Sequence, residues 1–84
     1  MQVMVELSLY PLVNEYLTPI KAFIARLNSY QNLTVTTCST STQVQGDYTE
    51  VLQILGVEMQ RTHEEVGQAV FVPKFLNFDA MSSK

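Results

Sequence analysis

The chain has 84 residues, of which 46% are hydrophobic and only 15% charged, and its formal net charge is −3. This length predicts one domain, and such a domain buries only roughly 60–65% of the surface that its unfolded chain exposes. Because so few charged side chains cannot cover a small monomer, we expect some apolar surface to meet a second copy. The five Lys and Arg residues are scattered. This argues against nucleic-acid binding, which needs clustered cations.

The content of cysteine and the pattern of apolar residues indicate where the protein works. Cys38 is the single cysteine, so the chain has no internal disulfide and lacks the thiolates of a Cys-based zinc site. A reducing compartment fits this composition. Glu6 interrupts the N-terminal apolar run, and no run approaches the roughly 18 apolar residues of a membrane span. We therefore expect a cytoplasmic protein with no membrane partner.

The first predicted element is a strand over residues 2–10, where apolar side chains alternate with others in a period of two. One side carries Val3, Val5, Leu7 and Leu9, and the other carries Met4, Glu6, Ser8 and Tyr10. Pro11 ends this strand. Apolar residues then recur at helical spacing from Ile20 to Tyr30, which predicts a helix over about residues 15–31. Either Asn14 or Thr18 can cap it, the latter with Pro19 at the first helical position.

Two short strands are predicted next, over residues 33–38 and 42–45, with a connection over residues 39–41. In the second of them Val44 points inward, Gln43 and Gln45 point outward, and Gly46 breaks the strand. Turn formation is the structural reason for a glycine here.

The second predicted helix spans residues 48–65. Asp47 and Glu50 form a capping box at its start, and Gly67 is placed to end it in a left-handed conformation. Its apolar face consists of Val51, Leu52, Leu55, Met59 and Val66. A fourth strand follows over residues 69–75. Because apolar side chains occur there in both parities, we expect this strand to be central or covered on both faces.

The order β-α-β-β-α-β predicts a ferredoxin-like α+β fold, in which two helices cover one face of a four-stranded antiparallel sheet. We assign residues 1–76 to this domain and residues 77–84 to a flexible C-terminal tail. The opposite face of the sheet stays open. On our parity assignment it carries Glu6, Ser8, Tyr10, Thr34, Thr36, Cys38, Gln43 and Gln45, with Phe71 or its neighbours adding an apolar patch.

Three segments resemble the YkoF-like family, whose members bind thiamine or its hydroxymethylpyrimidine moiety. They are Glu-Leu-Ser-Leu-Tyr-Pro-Leu (6–12), Ser-Thr-Gln-Val-Gln-Gly-Asp (41–47) and Gly-Gln-Ala-Val-Phe-Val-Pro-Lys (67–74). The resemblance implies a single-domain binding protein that does not transform its ligand, needs no cofactor and serves vitamin uptake or salvage. It also implies a homodimer or homotetramer that pairs through the open sheet face. Where the family often has a glutamate before the glycine, this chain has Gln45. If that carboxylate holds the thiazolium cation, its absence favours the neutral pyrimidine.

A thiamine site needs hydrogen-bonding groups for the aminopyrimidine edge, a slot for the rings, and a carboxylate or aromatic face for the cation. We expect Ser8, Thr42 and Gln43 to serve the first need. Tyr10 or Phe71 would serve the second, and Glu6 the third. The hypothesis is that these six residues line one pocket. Each also has an ordinary structural interpretation, as a strand hydroxyl, a surface glutamate or a packed ring.

Two other functions fit the same elements. The first is a ferredoxin-like dimeric enzyme of the monooxygenase or isomerase type, for which His63 and Glu6 are the candidate bases. The second is a structural oligomerisation domain whose open face is only an interface. We expect Cys38 to be a buried or interface thiol, because a nucleophile needs an adjacent base. No metal site is expected, because His63 has no second nitrogen ligand.

Overall fold

Six elements follow one another in the predicted order in the computed structural model, which describes residues 1–78. They are β1 (Gln2–Pro11), α1 (Leu17–Asn28), β2 (Thr34–Thr37), β3 (Thr42–Asp47), α2 (Tyr48–Val66) and β4 (Ala69–Leu76). The strands form one antiparallel sheet in the order β2-β3-β1-β4. The predicted ferredoxin-like fold is therefore confirmed. The part of the predicted tail beyond Phe78 lies outside the described residues.

The alternation in β1 separates a core face from an open face. Val3, Val5 and Leu7 are buried, and Val44 of β3 joins them from the next strand. The helices close this face with the buried side chains Phe23, Leu27, Val51 and Leu55. Both helices thus contribute to the same core cluster on one side of the sheet, and the outward side chains of β1 are left on the other side.

Strand β4 lies at an edge of the sheet and exposes side chains on one face, so the prediction that it is central or covered on both faces is wrong. Apolar residues occupy both odd and even positions of β4 for another reason. The even-numbered Val70 and Val72 lie on the open face, where each remains 46% exposed. Pro73 fits an edge strand, because proline has no N–H to donate to a ladder.

The ends of the helices differ in how well local sequence predicted them. Asp47 accepts a hydrogen bond from the Glu50 backbone N–H, as predicted, but the Glu50 carboxylate accepts from Nδ2 of Asn32 at 2.8 Å instead of closing the capping box. Gly67 ends α2 with the predicted positive φ, 89°, although its ψ of −120° lies outside the left-handed helical region. Helix α1 is shorter than expected and has no side-chain cap at Tyr16, so the caps predicted at Asn14 and Thr18 are wrong. The carboxylate of Glu15 instead accepts from the N–H of Thr18 at 3.0 Å. This bond and the Thr18 hydroxyl lower the pKa of Glu15.

Gly46 lies inside β3 opposite Val3 and does not break the strand. A Cβ at this position would be 3.0 Å from the carbonyl oxygen of Asn32 and 3.2 Å from Cγ2 of Val51. Glycine therefore lets β3 approach α2 and the loop before β2 closely.

The two helices are joined by an ion pair that the apolar pattern did not predict. Glu58 is 2% exposed, and its carboxylate accepts from Nε of Arg26 at 2.6 Å and from Oη of Tyr30 at 2.6 Å. Arg26 also donates to the hydroxyl of Thr62 at 2.7 Å. Burial opposes ionisation of Glu58, but these hydrogen bonds and the charges of Arg61 and Arg26 outweigh it and lower its pKa. The buried stripe of α2 is therefore Val51, Leu55, Glu58 and Thr62, whereas Leu52 is exposed.

Two glycine substitutions should have opposite effects on stability. We expect Gly46→Ala to lower the free energy of unfolding by about 1–3 kcal/mol, because the added methyl group overpacks the contact. The matched change Gly56→Ala, in α2, where the new Cβ would meet nothing within 4 Å beyond the adjacent helix backbone, should raise it by about 0.5–1 kcal/mol. Urea unfolding followed by circular dichroism measures both. Equal effects would contradict the close approach at Gly46.

The ion pair also predicts a dependence of stability on pH. Because the pKa of folded Glu58 lies below the ordinary value of 4.5 for a glutamate, its contribution to stability is present above pH 4.5 and is lost as the pH falls through the folded pKa. Glu58→Gln should lower the free energy of unfolding by about 3 kcal/mol near pH 7. It should also make the loss of this free energy on acidification smaller than in the wild type. Glu64→Gln, on the exposed side of α2, should keep the wild-type pH dependence. If the free energy of unfolding of Glu58→Gln falls with acid as steeply as that of the wild type, the ion pair does not cause the pH dependence.

Candidate functional site

The open face, meaning the side of the sheet away from the helices, carries a row of polar side chains across three strands. Glu6 of β1 lies directly between Gln43 of β3 and Lys74 of β4. Ser8 is opposite Val72, and Tyr10 is opposite Val70. Directly opposed residues share a face, so the pairing brings these side chains together.

Glu6 is the centre of this row. Oγ of Ser41 donates to its Oε2 at 3.2 Å, and Nζ of Lys74 lies 3.8 Å from its Oε1. The Lys74 side chain is 73% exposed and that of Glu6 is 36% exposed. An exposed pair at this distance stabilises a fold by at most about 1 kcal/mol. The carboxylate can therefore exchange Lys74 for a cation or an N–H donor at little cost.

A groove surrounds this carboxylate on the open face, with a cavity volume of about 380 Å³. Its lining residues are Glu6, Ser8, Tyr10, Thr40, Ser41, Val72 and Lys74. Oγ of Ser8 donates to the carbonyl oxygen of Thr40 at 3.2 Å, which ties the β2–β3 turn to β1. The groove thus combines a carboxylate, hydroxyl groups, a tyrosine ring and one ammonium group. This set can recognise a small polar ring with both donors and acceptors.

The six predicted site residues do not line one pocket. Glu6, Ser8, Tyr10 and Gln43 lie on the open face, whereas Thr42 and Phe71 lie on the helix side. Thr42 is 7% exposed and borders a second cavity of about 100 Å³ next to α1, which shares Ser8, Thr40 and Ser41 with the lining of the groove. The ring of Phe71 is 5.1 Å from that of Phe23 and 5.2 Å from that of His63, between centroids. Phe71 therefore packs against the core, and the predicted apolar patch of the open face consists of its neighbours Val70 and Val72 instead.

Four residues that line the groove were not among the predicted site residues: Thr40, Ser41, Val72 and Lys74. The two turn residues are placed by the β2–β3 pairing and by hydrogen bonds to β1. Lys74 could have been found from its charge, because Glu6 and Lys74 are complementary charges on strands predicted in one sheet.

The structure separates the two bases of the alternative enzyme. Nε2 of His63 lies 3.0 Å from the carbonyl oxygen of Ala69, and its ring packs on Phe71 on the helix side. Glu6 is on the opposite face, so the two side chains do not share a site. Cys38 is exposed within the chain, so it is not a buried thiol.

Within residues 1–78, no group of three or more His, Cys, Asp and Glu side chains is placed to hold a metal ion. Neither α1 nor α2 is long and apolar enough to cross a membrane.

Comparison with known proteins shows the fold of this chain. No protein-family model matches it, and none of the curated proteins does. Solved structures of similar fold include one from Streptococcus pneumoniae with 21% identity and a TM-score of 0.87, covering 98% of this chain and 92% of that one. Another, from Thermotoga maritima, bears a name that proposes a role in thiamine biosynthesis or salvage; it has 15% identity and a TM-score of 0.83, and the match covers 100% and 90% of the two chains.

A hypothetical protein from Methanocaldococcus jannascii is also similar, with 23% identity, a TM-score of 0.79 and coverage of 94% and 82%. At these identities the likeness shows a common ferredoxin-like fold over nearly the whole length of the chain.

The assignment of side chains to the two faces predicts different roles for two aromatic residues. Phe71→Ala should lower the free energy of unfolding by about 3 kcal/mol, because it removes a ring packed on the core. Tyr10→Ala should change it by no more than about 0.5 kcal/mol, because Tyr10 is 55% exposed. Chemical denaturation of both variants tests this. A large loss for Tyr10→Ala with little loss for Phe71→Ala would reverse the assignment.

Proposed function

We propose that this protein binds thiamine or its hydroxymethylpyrimidine moiety in the groove on the open face and does not transform it. The observation that carries the proposal is the Glu6 carboxylate in the lining of the groove, where it accepts from Ser41 and forms a weak pair with Lys74. A carboxylate in this setting accepts charge-assisted hydrogen bonds from an aminopyrimidine edge.

The neighbouring groups complete the recognition of a pyrimidine. The hydroxyl groups of Ser8 and Ser41 offer further donors and acceptors beside Glu6, and Gln43 lies next to Glu6 in the sheet. The ring of Tyr10 provides an apolar wall at the other end of the groove. Selection by hydrogen bonds and exclusion of water by the ring suffice for capture of the ligand.

Two further lines support thiamine as the class of ligand. The segments around Glu6, Ser41 and Lys74 resemble the YkoF-like family. A protein of similar fold, from Thermotoga maritima, has a name that proposes thiamine biosynthesis or salvage. A role in uptake or salvage of the vitamin in the cytoplasm follows as part of the same proposal. We propose capture without catalysis because His63 and Glu6 lie on opposite faces of the sheet.

A second copy of the chain completes this proposal. Val70 and Val72 of the edge strand are exposed beside the groove, at 46% each, and Tyr10 is 55% exposed. Burial of these side chains against a partner chain would stabilise a homodimer or homotetramer and would remove the groove from bulk water. The same exposed side chains favour the alternative function, a structural oligomerisation domain without a ligand.

Calorimetric titration with thiamine and with hydroxymethylpyrimidine tests the proposal. We expect both to bind the wild-type protein, and Glu6→Gln to weaken thiamine binding by about 10- to 100-fold, because a hydrogen bond to a charged group contributes about 1.5–3 kcal/mol.

Glu64→Gln is the matched control, because it removes the same charge from the exposed side of α2. It should leave both affinities unchanged. Sedimentation of the variants separates ligand binding from oligomerisation. If the wild type gives no heat of ligand binding and Glu6→Gln changes the oligomer mass, the binding function is rejected and the structural oligomerisation domain is favoured.

A further inference from the structure

Within residues 1–78, strand β4 pairs on one side only, with β1. Its first four residues, Ala-Val-Phe-Val (69–72), carry no charge. An apolar edge strand of this kind is a template on which another chain can add a strand. A cavity of about 620 Å³ borders this part of the strand, with Met59 and Phe71 in its lining. It would receive side chains of the added strand, which makes the addition more favourable.

The register of β4 shows which backbone groups lie along its free edge. The N–H of Leu12 donates to the carbonyl oxygen of Gln68 at 3.0 Å, one step beyond the pair of Pro11 with Ala69. Opposed residues of antiparallel strands alternate between pairs that exchange hydrogen bonds and pairs that do not. Even-numbered residues of β4 therefore bond to β1, and odd-numbered ones direct their backbone polar groups outward. The outward residues are Ala69, Phe71, Pro73 and Phe75.

Two of these outward residues cannot pair fully with another strand. Pro73 has no N–H to donate. The carbonyl oxygen of Ala69 lies 3.0 Å from Nε2 of His63, and because a carbonyl only accepts, Nε2 carries the proton and donates it. His63 belongs to the last turn of α2, and its ring meets that of Phe71 edge-on, with 5.2 Å between the centroids. The histidine therefore occupies an acceptor that an added strand would use.

The opposite edge of the sheet is protected in another way. Strand β2 has only four residues, whereas β4 has eight. A very short edge strand offers few hydrogen bonds to another chain. The longer edge is thus the one on which strand addition would be favourable, and it is the edge that His63 reaches.

We infer that His63 closes the free edge of β4 and, together with Pro73, prevents a second copy of the chain from adding its own β4 there. A second copy is the relevant competitor, because two identical edge strands can pair antiparallel about a two-fold axis and make the same contacts twice. Self-association is then restricted to other surfaces. Neither residue lines the groove around Glu6, so the inference does not depend on the proposed ligand.

Amide hydrogen exchange and sedimentation velocity over a range of concentrations test this inference. In the wild type, the outward amides of Phe71 and Phe75 should exchange at least about 10-fold faster than that of Val72, which bonds to β1. His63→Ala combined with Pro73→Val opens the edge. This double variant should form species of about twice the wild-type mass as its concentration rises, and the two outward amides should then become protected.

Two matched variants are the controls. His63→Gln with Pro73→Val retains a side-chain N–H donor and should keep the wild-type mass, as should Glu64→Ala with Pro73→Val. The inference is wrong if the His63→Ala double variant is folded by circular dichroism and keeps the wild-type mass, or if either control associates to the same extent. Slow exchange of the outward amides in the wild type would also overturn it, because the edge would already be paired; this measurement requires no variant to fold.

Discussion

The pairing of β1 with a neighbour on each side is the constraint on which the rest of the structure depends. Because side chains of a strand alternate, the register that buries Val5 and Leu7 also places Glu6 and Ser8 on the open face. A slip of one residue would put the carboxylate into the core. The hydrophobic effect that forms the core therefore also fixes the position of the candidate site.

Three features hold the helix layer together and against the sheet. Apolar side chains of both helices cover β1 and β3, and the pair between Arg26 and Glu58 connects the helices at a buried position. A buried ion pair is costly to break because the remaining charge is left without a partner. Gly46 makes the third contribution, since its missing side chain lets β3 lie close to α2. None of these groups belongs to the groove, so the fold and the site can be varied separately.

Local sequence predicted the elements of the fold well, because the decisive signals are local. The period of two in β1, the cap at Asp47 and the positive φ at Gly67 were all predicted correctly. Glu58 was not predicted to be buried, because its partner Arg26 lies 32 positions away on another helix. A cap at Glu15 was missed because its carboxylate acts from outside the helix, on the N–H of Thr18.

The site was less predictable because it depends on pairing between strands. Glu6, Ser8 and Tyr10 were placed correctly on the open face by the alternation within one strand. Phe71 was misplaced because β4 has apolar residues at both odd and even positions, so the sequence does not reveal which of them face the helices. Only the pairing of Phe71 with Leu9 places its ring on the helix side. Lys74 enters the groove by the same register, opposite Glu6. That these residues bind a ligand stays a prediction.

NMR mapping of backbone amide shifts during a titration with thiamine shows directly whether the groove around Glu6 binds this ligand. We predict that the shifted amides belong to residues 6–10 and 39–43 and to Lys74, around the carboxylate of Glu6. This prediction would be contradicted if no amide shifts at millimolar thiamine, or if the shifts cluster around His63 and Phe71 on the helix side of the sheet.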